Sequence, residues 1–568
     1  MEGKSTTRYL FRLLANLEEV RRKRLACIIL FLDFEKAYDS VYIPRLCTKL
    51  HKAGVDLKLL ALIRNFLLER KVCLKVNDYT GTPRKCELYG LPQGAVLSPL
   101  FFIIYIVDMP DDIPENIKDF VSCYKFADDG TLMISCNNMS GCHQKMQVLC
   151  DYLTSWCIRN QLVINCNINK TEAIILRTKA YDENNQPPDL HINGKRIRYV
   201  RSTKVLGLIL DDELKFVEHA QQKQAECARK WGLITKNTNR NHGLNVQSLV
   251  LLFKTMIMSK MYYAAPIWLH KCTQIFVGFW NKVIMKISGA VFNPHRELVE
   301  LVLQIPPIKV QLDTITVKFM CKVLTKGDYL TALLLQVDQA PYSSYNKATT
   351  LLKQFLAWKE KGNNPSRPNP RSIDLCNPNY NIMANYTKDQ MAKYQQTGWF
   401  QYIDNRLQHK TTTGTLGSEG LLREIMTEAR NKNITLKPKN MLFRHGTTKY
   451  ADSRLLDFIH GSSPLFGSMR VKLDNSNQGC RSCFFCNVDV DSPGHQILEC
   501  LEVRDETYHR LRKCGQNMES TNLMAKCIVP SSADTTMDIQ RAFIDRVAFL
   551  ADQHESMQDG YSVTMGDT

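Results

Sequence analysis

The sequence has no hydrophobic run long enough to cross a membrane, and it has no secretion signal. Its longest strongly apolar run, residues 95–107, has 13 residues and is interrupted by Ser98 and Pro99, whereas a spanning helix needs about 20 apolar residues. The polar N-terminus, residues 1–7, lacks the charged-then-apolar order of a signal peptide. These absences predict an intracellular protein without a membrane partner.

The sequence also lacks an internal repeat of fixed period, which excludes solenoid and propeller architectures. With 44% hydrophobic and 23% charged residues it has the composition of a globular protein, not of a disordered or fibrous chain. Its 568 residues exceed what one hydrophobic core usually holds. We therefore expect two to four domains.

Positive charge is in excess. The chain has 74 lysines and arginines against 56 acidic residues, which gives a net charge of +18. Such an excess favours polyanionic partners, because basic side chains neutralise phosphates. Nucleic acid is the leading candidate, ahead of an anionic membrane surface.

The first part of the chain has the pattern of mixed α and β structure. Within residues 25–210, short apolar runs alternate with helical and turn-like stretches. Residues 25–32 predict a buried strand. Apolar runs at 124–127 and 131–135 flank Asp128-Asp129-Gly130, and Asp-Gly between such runs predicts a hairpin.

Later segments differ in character. Residues 216–268 show apolar side chains at three- and four-residue spacing, which predicts helices. Residues 362–379 contain four prolines among asparagines and predict a linker or a long loop. A C-terminal region follows this linker.

Three carboxylates fall at predicted strand ends. Asp33 follows the buried strand, and Asp128 and Asp129 lie at the hairpin. Each alone has an ordinary explanation, since aspartate is common in caps and solvated turns. Brought together, they would need hard cations such as Mg²⁺, and two such ions catalyse in-line phosphoryl transfer in polymerases and nucleases. The carboxylates do not distinguish between these two enzyme classes.

The order of the motifs resembles a known family. The segments are FLDFEKAYDSV at 31–41, GLPQGAVLSP at 90–99 and FADD at 126–129. Together they resemble the first three palm motifs of reverse transcriptases, specifically those of non-LTR (LINE-type, jockey-like) retrotransposons. NINKTE at 167–172 and KVLGL at 204–208 resemble the fourth and fifth motifs.

This resemblance implies roles for individual residues. Asp33 and Asp128 would bind both Mg²⁺ ions, and Asp129 would complete the acidic cluster. Tyr38 falls where the family places the aromatic gate against a nucleotide's 2′-hydroxyl. The other implied nucleotide- or template-binding residues are Gln93, Gly94 and Lys170. Lys170 would act on the departing pyrophosphate, although a lysine before a strand is equally often a solvated charge.

The implied fold is α+β: a right-hand polymerase palm, with an antiparallel sheet and helices, carrying partial fingers and a helical thumb, followed by a small zinc-binding domain. We expect partial fingers and palm at 1–212 and a helical thumb or connection at 213–335. A linker with a helical segment is expected at 336–415, and the zinc-binding C-terminal domain at 416–568.

The zinc expectation rests on a cysteine-rich segment. Without an export signal, the 20 cysteines are expected to be reduced thiols, some of them metal ligands. Cys483, Cys486, His495 and Cys500 have the spacing of a structural zinc site, while Cys480 paired with Cys483 offers an alternative register. The first set resembles the CxxC…HxxxxC element of these retrotransposon polymerases, where it forms a zinc knuckle that holds nucleic acid.

The function implied is RNA-directed DNA synthesis. The partners would be an RNA template, a DNA primer or target and dNTPs, and work on chromosomal DNA would require nuclear access. Residues 3–7 resemble the stretch just before the first palm motif, so we expect an N-terminally truncated element product. Two alternatives stay open: an inactive product that only binds nucleic acid, and an RNA-binding protein similar to group II intron maturases.

Overall fold

The computed structural model describes most of the chain up to residue 408 and shorter pieces beyond it. The described residues are 5–85, 88–109, 111, 113–127, 129–167, 169–178, 187–238, 243–289, 296–326, 344–361, 370, 373, 375, 378–408, 422–423, 425–427, 430, 506–514, 542–543, 545–547 and 549–550. Asp128, the cysteine-rich segment and most of the predicted linker lie outside them.

The chain divides into two compact units. The first comprises residues 1–219 and 336–347, and the second comprises residues 220–335 and 348–568. The division into four domains stays a prediction.

The first unit mixes helices with short antiparallel strands. Its helices are α1 (Thr6–Arg22), α2 (Ile43–Lys52), α3 (Leu57–Leu68), α4 (Ser98–Ile106), α5 (Glu115–Lys118) and α6 (Met139–Asn160). Its strands are β1 (Ala26–Leu32), β2 (Lys71–Val72), β3 (Lys75–Val76), β4 (Tyr79–Thr80), β5 (Arg84–Lys85), β6 (Val121–Phe126), β7 (Asp129–Cys136), β8 (Glu172–Ile175), β9 (Leu190–Ile192), β10 (Lys195–Ile197), β11 (Ser202–Val205) and β12 (Leu208–Asp211).

A four-stranded antiparallel sheet forms the centre of this unit, in the order β6-β7-β1-β8. Every residue of β1 is buried, because this strand has a neighbour on each side and its side chains are apolar throughout. The predicted buried strand is confirmed. Helix α6 packs against β1 and β7 with its buried face, which includes Leu149, Leu153 and Trp156.

The predicted hairpin is confirmed. Its connection precedes Asp129 and Gly130, the pair that the sequence indicated as the turn. Strand β6 ends at Phe126, which pairs with Asp129, so Asp129 and Gly130 belong to β7. Ala127 takes the left-handed φ of 53° that a two-residue connection demands. Strand β7 pairs with β1 as far as Leu32, the last residue of β1, because Gly130 lies opposite Leu32.

A second hairpin carries the KVLGL motif. Strands β11 and β12 pair antiparallel, with Val205 opposite Leu208. Leu206 and Gly207 both have positive φ, 47° and 83°, which is the conformation that tight two-residue hairpins require.

The second unit is helical in its described part, apart from its short connections. Helix α7 (Val217–Thr235) crosses the boundary between the units, as does α13 (Ser344–Lys361). The others are α8 (Val246–Leu252), a π-helical turn (Phe253–Met258), α9 (Ser259–Met261), α10 (Ala265–Ser288), α11 (Arg296–Leu303), α12 (Ile308–Lys326), α14 (Pro378–Met383), α15 (Lys388–Gln408) and α16 (Glu506–Cys514).

Aromatic side chains fill the core of this helical unit. The rings of Trp231 and Trp280 meet Phe253 edge to face, with centroids 5.6 and 5.4 Å apart. Helix α10 packs against α12 and α8. The helices predicted for residues 216–268 are therefore confirmed. At residue 378 the predicted loop differs, since α14 begins there, and proline is tolerated at the first turn of a helix.

Candidate functional site

Asp33 directly follows strand β1, and two hydrogen bonds hold its backbone in place. Its N–H donates to Thr171 Oγ1 at 3.2 Å, and its carbonyl oxygen accepts from the Asn165 N–H at 2.8 Å. The apolar run of β1 ends at Leu32, so Asp33 is the first polar residue after this buried strand. Its side chain is 30% exposed.

Two side chains hold one oxygen of this carboxylate. Asn165 Nδ2 donates to Asp33 Oδ2 at 3.0 Å, and Lys170 Nζ lies 3.6 Å from the same oxygen. Asp33 Oδ1 accepts no hydrogen bond from any described residue. The carboxylate is therefore oriented through Oδ2, and Oδ1 is available to a ligand.

Asp129 lies next to this carboxylate in the sheet. It is the first residue of β7, and the register that pairs Leu32 with Gly130 places Asp33 and Asp129 at the same end of adjacent strands. A Cβ added at Gly130 would lie 3.4 Å from the Leu32 Cβ, an ordinary contact distance. The strand register thus places two of the three predicted carboxylate residues at the same end of the sheet, and Asp128 precedes Asp129 outside the described residues.

A buried tyrosine supports the hairpin beneath the site. Tyr9 on α1 donates its hydroxyl to Thr131 Oγ1 at 2.8 Å, and its ring meets Tyr124 and Phe126 edge to face. Burial raises the pKa of the Tyr9 hydroxyl, and the negative charge of Asp129 raises it further. Tyr9 therefore remains a protonated donor over the whole physiological range.

The predicted gate residue, Tyr38, packs on the buried ring of Phe102. Its ring stacks on Phe102, with centroids 5.3 Å apart and planes inclined by 22°. Its carbonyl oxygen accepts from the Leu91 N–H at 2.9 Å, which ties the first motif to the second. A half-buried aromatic ring with its position fixed in this way suits steric exclusion.

The second motif, residues 90–99, contacts the first motif. Gln93 is exposed, and its Nε2 donates to Asp39 Oδ1 at 3.3 Å. Gly94 has a φ of +87°, which favours glycine, and the space where a Cβ would stand is open. A ligand can therefore approach the backbone closely at Gly94.

Sequence reasoning assigned no role to Asn165 or Asp39. Asp39 belongs to the first motif, yet nothing in its spacing showed that it would hold Gln93 from a distant loop. Asn165 precedes the fourth motif, and its contact with Asp33 bridges 132 residues of sequence. No local pattern reveals such a contact.

The donor chemistry of the site fits a hard divalent cation, because Asp33 and Asp129 offer carboxylate oxygens and Asp33 Oδ1 is available. Within the described part of the chain, no group of three or more His, Cys, Asp or Glu side chains is placed to hold a metal ion. Asp128 lies outside this part of the chain. The predicted zinc ligands Cys483, Cys486, His495 and Cys500 also lie outside the described residues.

Among the helices that the structure describes, none combines the length and the apolar composition that crossing a membrane requires.

Known proteins are similar to the first part of the chain. Residues 2–210 match the family described as reverse transcriptase (RNA-dependent DNA polymerase). The RNA-directed DNA polymerase from mobile element jockey of Drosophila melanogaster is 25% identical over 317 residues, which cover 54% of this chain and 33% of that protein. A probable RNA-directed DNA polymerase from transposon BS of the same fly is 24% identical and covers 47% and 28%, respectively.

A solved structure of telomerase from Candida albicans is also similar, at 11% identity with a TM-score of 0.25, covering 66% of this chain and 56% of that one. A score this low carries no argument about the fold. The chain spans about a third of the length of the curated relatives it matches.

The family match covers all five motifs, and the named relatives come from non-LTR elements, so the resemblance predicted from the sequence is confirmed. The match also agrees with the mixed helical and antiparallel architecture of a polymerase palm. Residues 2–210 thus match the reverse transcriptase family, and the relatives named above are RNA-directed DNA polymerases, one of them from mobile element jockey.

Proposed function

We propose that this protein is the RNA-directed DNA polymerase of a non-LTR retrotransposon, which adds dNTPs to a primer 3′-hydroxyl on an RNA template. The observation that carries the proposal is the placement of Asp33 and Asp129 at the same end of adjacent strands, set by the pairing of Leu32 with Gly130. Paired carboxylates at a strand end are what two-metal phosphoryl transfer needs.

Asp33, Asp128 and Asp129 would hold two Mg²⁺ ions. When bound, these ions activate the primer hydroxyl and stabilise the in-line transition state. The contribution of the chain itself is orientation, because Asn165 donates to Asp33 Oδ2. Lys170, with its side chain 51% exposed and its Nζ 3.6 Å from Asp33 Oδ2, would act on the departing pyrophosphate.

The nucleotide would lie against Tyr38 and the second motif. Tyr38 cannot rotate away without losing its stacking on Phe102, so its ring would collide with a 2′-hydroxyl and favour deoxynucleotides. Gln93 is held by Asp39, and the open backbone at Gly94 admits the nucleotide or template. The net charge of +18 supports binding of both nucleic acid strands.

The remaining parts of the proposal concern the rest of the chain. The helices of the second unit would act as the thumb, and a zinc knuckle at Cys483, Cys486, His495 and Cys500 would hold element RNA or target DNA. Synthesis primed at a chromosomal nick would require access to the nucleus.

Primer extension on an RNA template with dNTPs and Mg²⁺ tests the enzyme. Asp33→Asn, Asp129→Asn and Asp128→Ala should abolish extension. Asp78→Asn, an exposed carboxylate elsewhere in the same unit, serves as the control and should not change it. Tyr38→Ala should retain extension and accept ribonucleotides more readily.

Two results would contradict the proposal. Extension that persists in Asp33→Asn would show that the carboxylates at the strand ends are not the catalytic site. No extension by folded wild-type protein that binds the primer–template would leave a protein that only binds nucleic acid.

A further inference from the structure

A half-buried lysine joins the β6–β7 hairpin to the end of helix α4. Lys125 is the penultimate residue of β6, and its Nζ donates to the carbonyl oxygen of Ile106 at 2.8 Å and to that of Val107 at 3.0 Å. These carbonyl groups lie at the end of α4, where the last turn of a helix lacks intrahelical donors and carries partial negative charge. An ammonium group with three donors meets both needs.

The register of the sheet places this lysine in the row of residues next to the carboxylates. Lys125 pairs with Gly130, and Gly130 lies opposite Leu32, so these three residues form one row across β6, β7 and β1. Asp129 precedes Gly130 in β7, and Asp33 follows Leu32. A contact made by Lys125 therefore acts on the part of the sheet that adjoins Asp33 and Asp129.

The hairpin is contacted on its two faces by different helices. Successive side chains of a strand point to opposite faces, and the rings of Tyr124 and Phe126, on either side of Lys125, meet the ring of Tyr9 on α1. Lys125 contacts the end of α4 on the other face. Tyr9 thus fixes the hairpin relative to α1, and Lys125 fixes it relative to α4.

Helix α4 supports the groups of the proposed nucleotide site. Phe102, on which the ring of Tyr38 stacks, lies one helical turn before Ile106, about 6 Å along the axis. At the start of α4, Ser98 Oγ donates to the Pro92 carbonyl oxygen at 2.6 Å, which holds the second motif on the helix. A shift of α4 relative to the hairpin would therefore move Tyr38 and the second motif relative to the carboxylates.

A second lysine holds the same helix end from α2. Lys49 Nζ donates to the Tyr105 carbonyl oxygen and, at 2.9 Å, to Asp108 Oδ1. Lys49 thus supports α4 from another helix, whereas Lys125 supports it from the hairpin that carries Asp129. This difference separates the stability of α4 from its coupling to the hairpin.

We propose that Lys125 is a positioning residue of the polymerase, which sets the spacing between the hairpin carboxylates and the ring of Tyr38 and thereby the preference for deoxynucleotides. This role rests on the proposed function. Lys125 acts through α4 and the hairpin, not by contact with the reacting atoms.

Single-nucleotide incorporation by the full-length chain, with a dNTP and with the matching rNTP, tests the proposal. Lys125→Met removes the ammonium group and keeps most of the side chain. It should lower kcat for the dNTP about tenfold, and the ratio of dNTP to rNTP efficiency should fall severalfold. Lys125→Arg keeps the charge and the donors and should restore both values. Lys125→Gln keeps an amide donor, so its changes should be smaller but in the same direction.

Lys49→Met is the matched control. It removes a lysine from the same helix end, so its unfolding temperature should fall, whereas its dNTP to rNTP ratio should stay at the wild-type value. Hydrogen exchange without substrates gives a second measurement. Lys125→Met should speed exchange in β6 and β7 as well as in the last turn of α4, and Lys49→Met should leave β6 and β7 unchanged.

A wild-type ratio in folded Lys125→Met protein would overturn the proposal, as would an equal change of the ratio in Lys49→Met. If Lys125→Met does not fold, Lys125→Gln is judged by the same two criteria. Wild-type protein that does not extend a primer would contradict the proposed function instead. Hydrogen exchange then decides separately, because unchanged exchange in β6 and β7 would show that Lys125 does not couple the hairpin to α4.

Discussion

Replacing Asn165 by alanine should slow DNA synthesis without disturbing the sheet. The substitution removes the side-chain hydrogen bond from Asn165 Nδ2 to Asp33 Oδ2, which is 3.0 Å long. The backbone hydrogen bond from the Asn165 N–H to the Asp33 carbonyl oxygen stays. The carboxylate then keeps its place at the strand end but loses the only hydrogen bond that a described side chain donates to it, while the ion pair with Lys170 remains.

The size of the effect follows from the charge of the acceptor. A hydrogen bond to a charged group is worth about 1.5–3 kcal/mol, and each 1.4 kcal/mol of transition-state stabilisation is about tenfold in rate. We therefore expect the extension rate to fall by about 10- to 100-fold. The stability should change less, because the Asp33 side chain is 30% exposed and water can replace the lost donor.

Single-nucleotide extension at saturating primer–template measures the rate, and a Mg²⁺ titration shows whether the apparent metal affinity falls with it. Asn65→Ala on the exposed face of α3 is the matched control. A wild-type rate in folded Asn165→Ala protein would refute the claim that this side chain positions Asp33.

Two further predictions concern stability and metal content. Glu300 is 1% exposed and accepts from Trp280 and Arg296, so Glu300→Ala should destabilise the helical unit by about 3 kcal/mol in chemical denaturation. Burial raises the pKa of Glu300, so the neutral Glu300→Gln should cost far less, and equal losses would contradict this account. Metal analysis should find about one zinc per chain, lost in Cys486→Ser and kept in Cys480→Ser. The reverse pattern would select the alternative ligand register.

Local sequence patterns were sufficient to predict those strands and helices whose burial follows a regular pattern. Strand β1 was predictable because it is buried on both faces and thus apolar throughout. The helices around Phe253 were predictable because their buried side chains recur at helical spacing, with Leu249, Phe253 and Ile257 all buried. The π-helical turn was not predictable, since the same spacing fits an α-helix.

The hairpin shows where such reasoning fails. Asp-Gly is a strong turn sequence, yet Asp129 and Gly130 lie in β7, and Ala127 takes the left-handed conformation instead. Gly130 lies opposite Leu32, so the pairing of β7 with β1 continues to the last residue of β1. This long-range strand pairing overrode the local turn preference.

Lys170 shows how the site couples residues that the sequence treats separately. Its ammonium lies 3.6 Å from Asp33 Oδ2. Two unit charges of like sign 4 Å apart cost about 4 kcal/mol at an effective dielectric constant of about 20, and a divalent ion would double this. A cation held by Asp33 would therefore oppose the charge of Lys170, whose side chain is 51% exposed and is held at Asp33 by this one ion pair among the described residues.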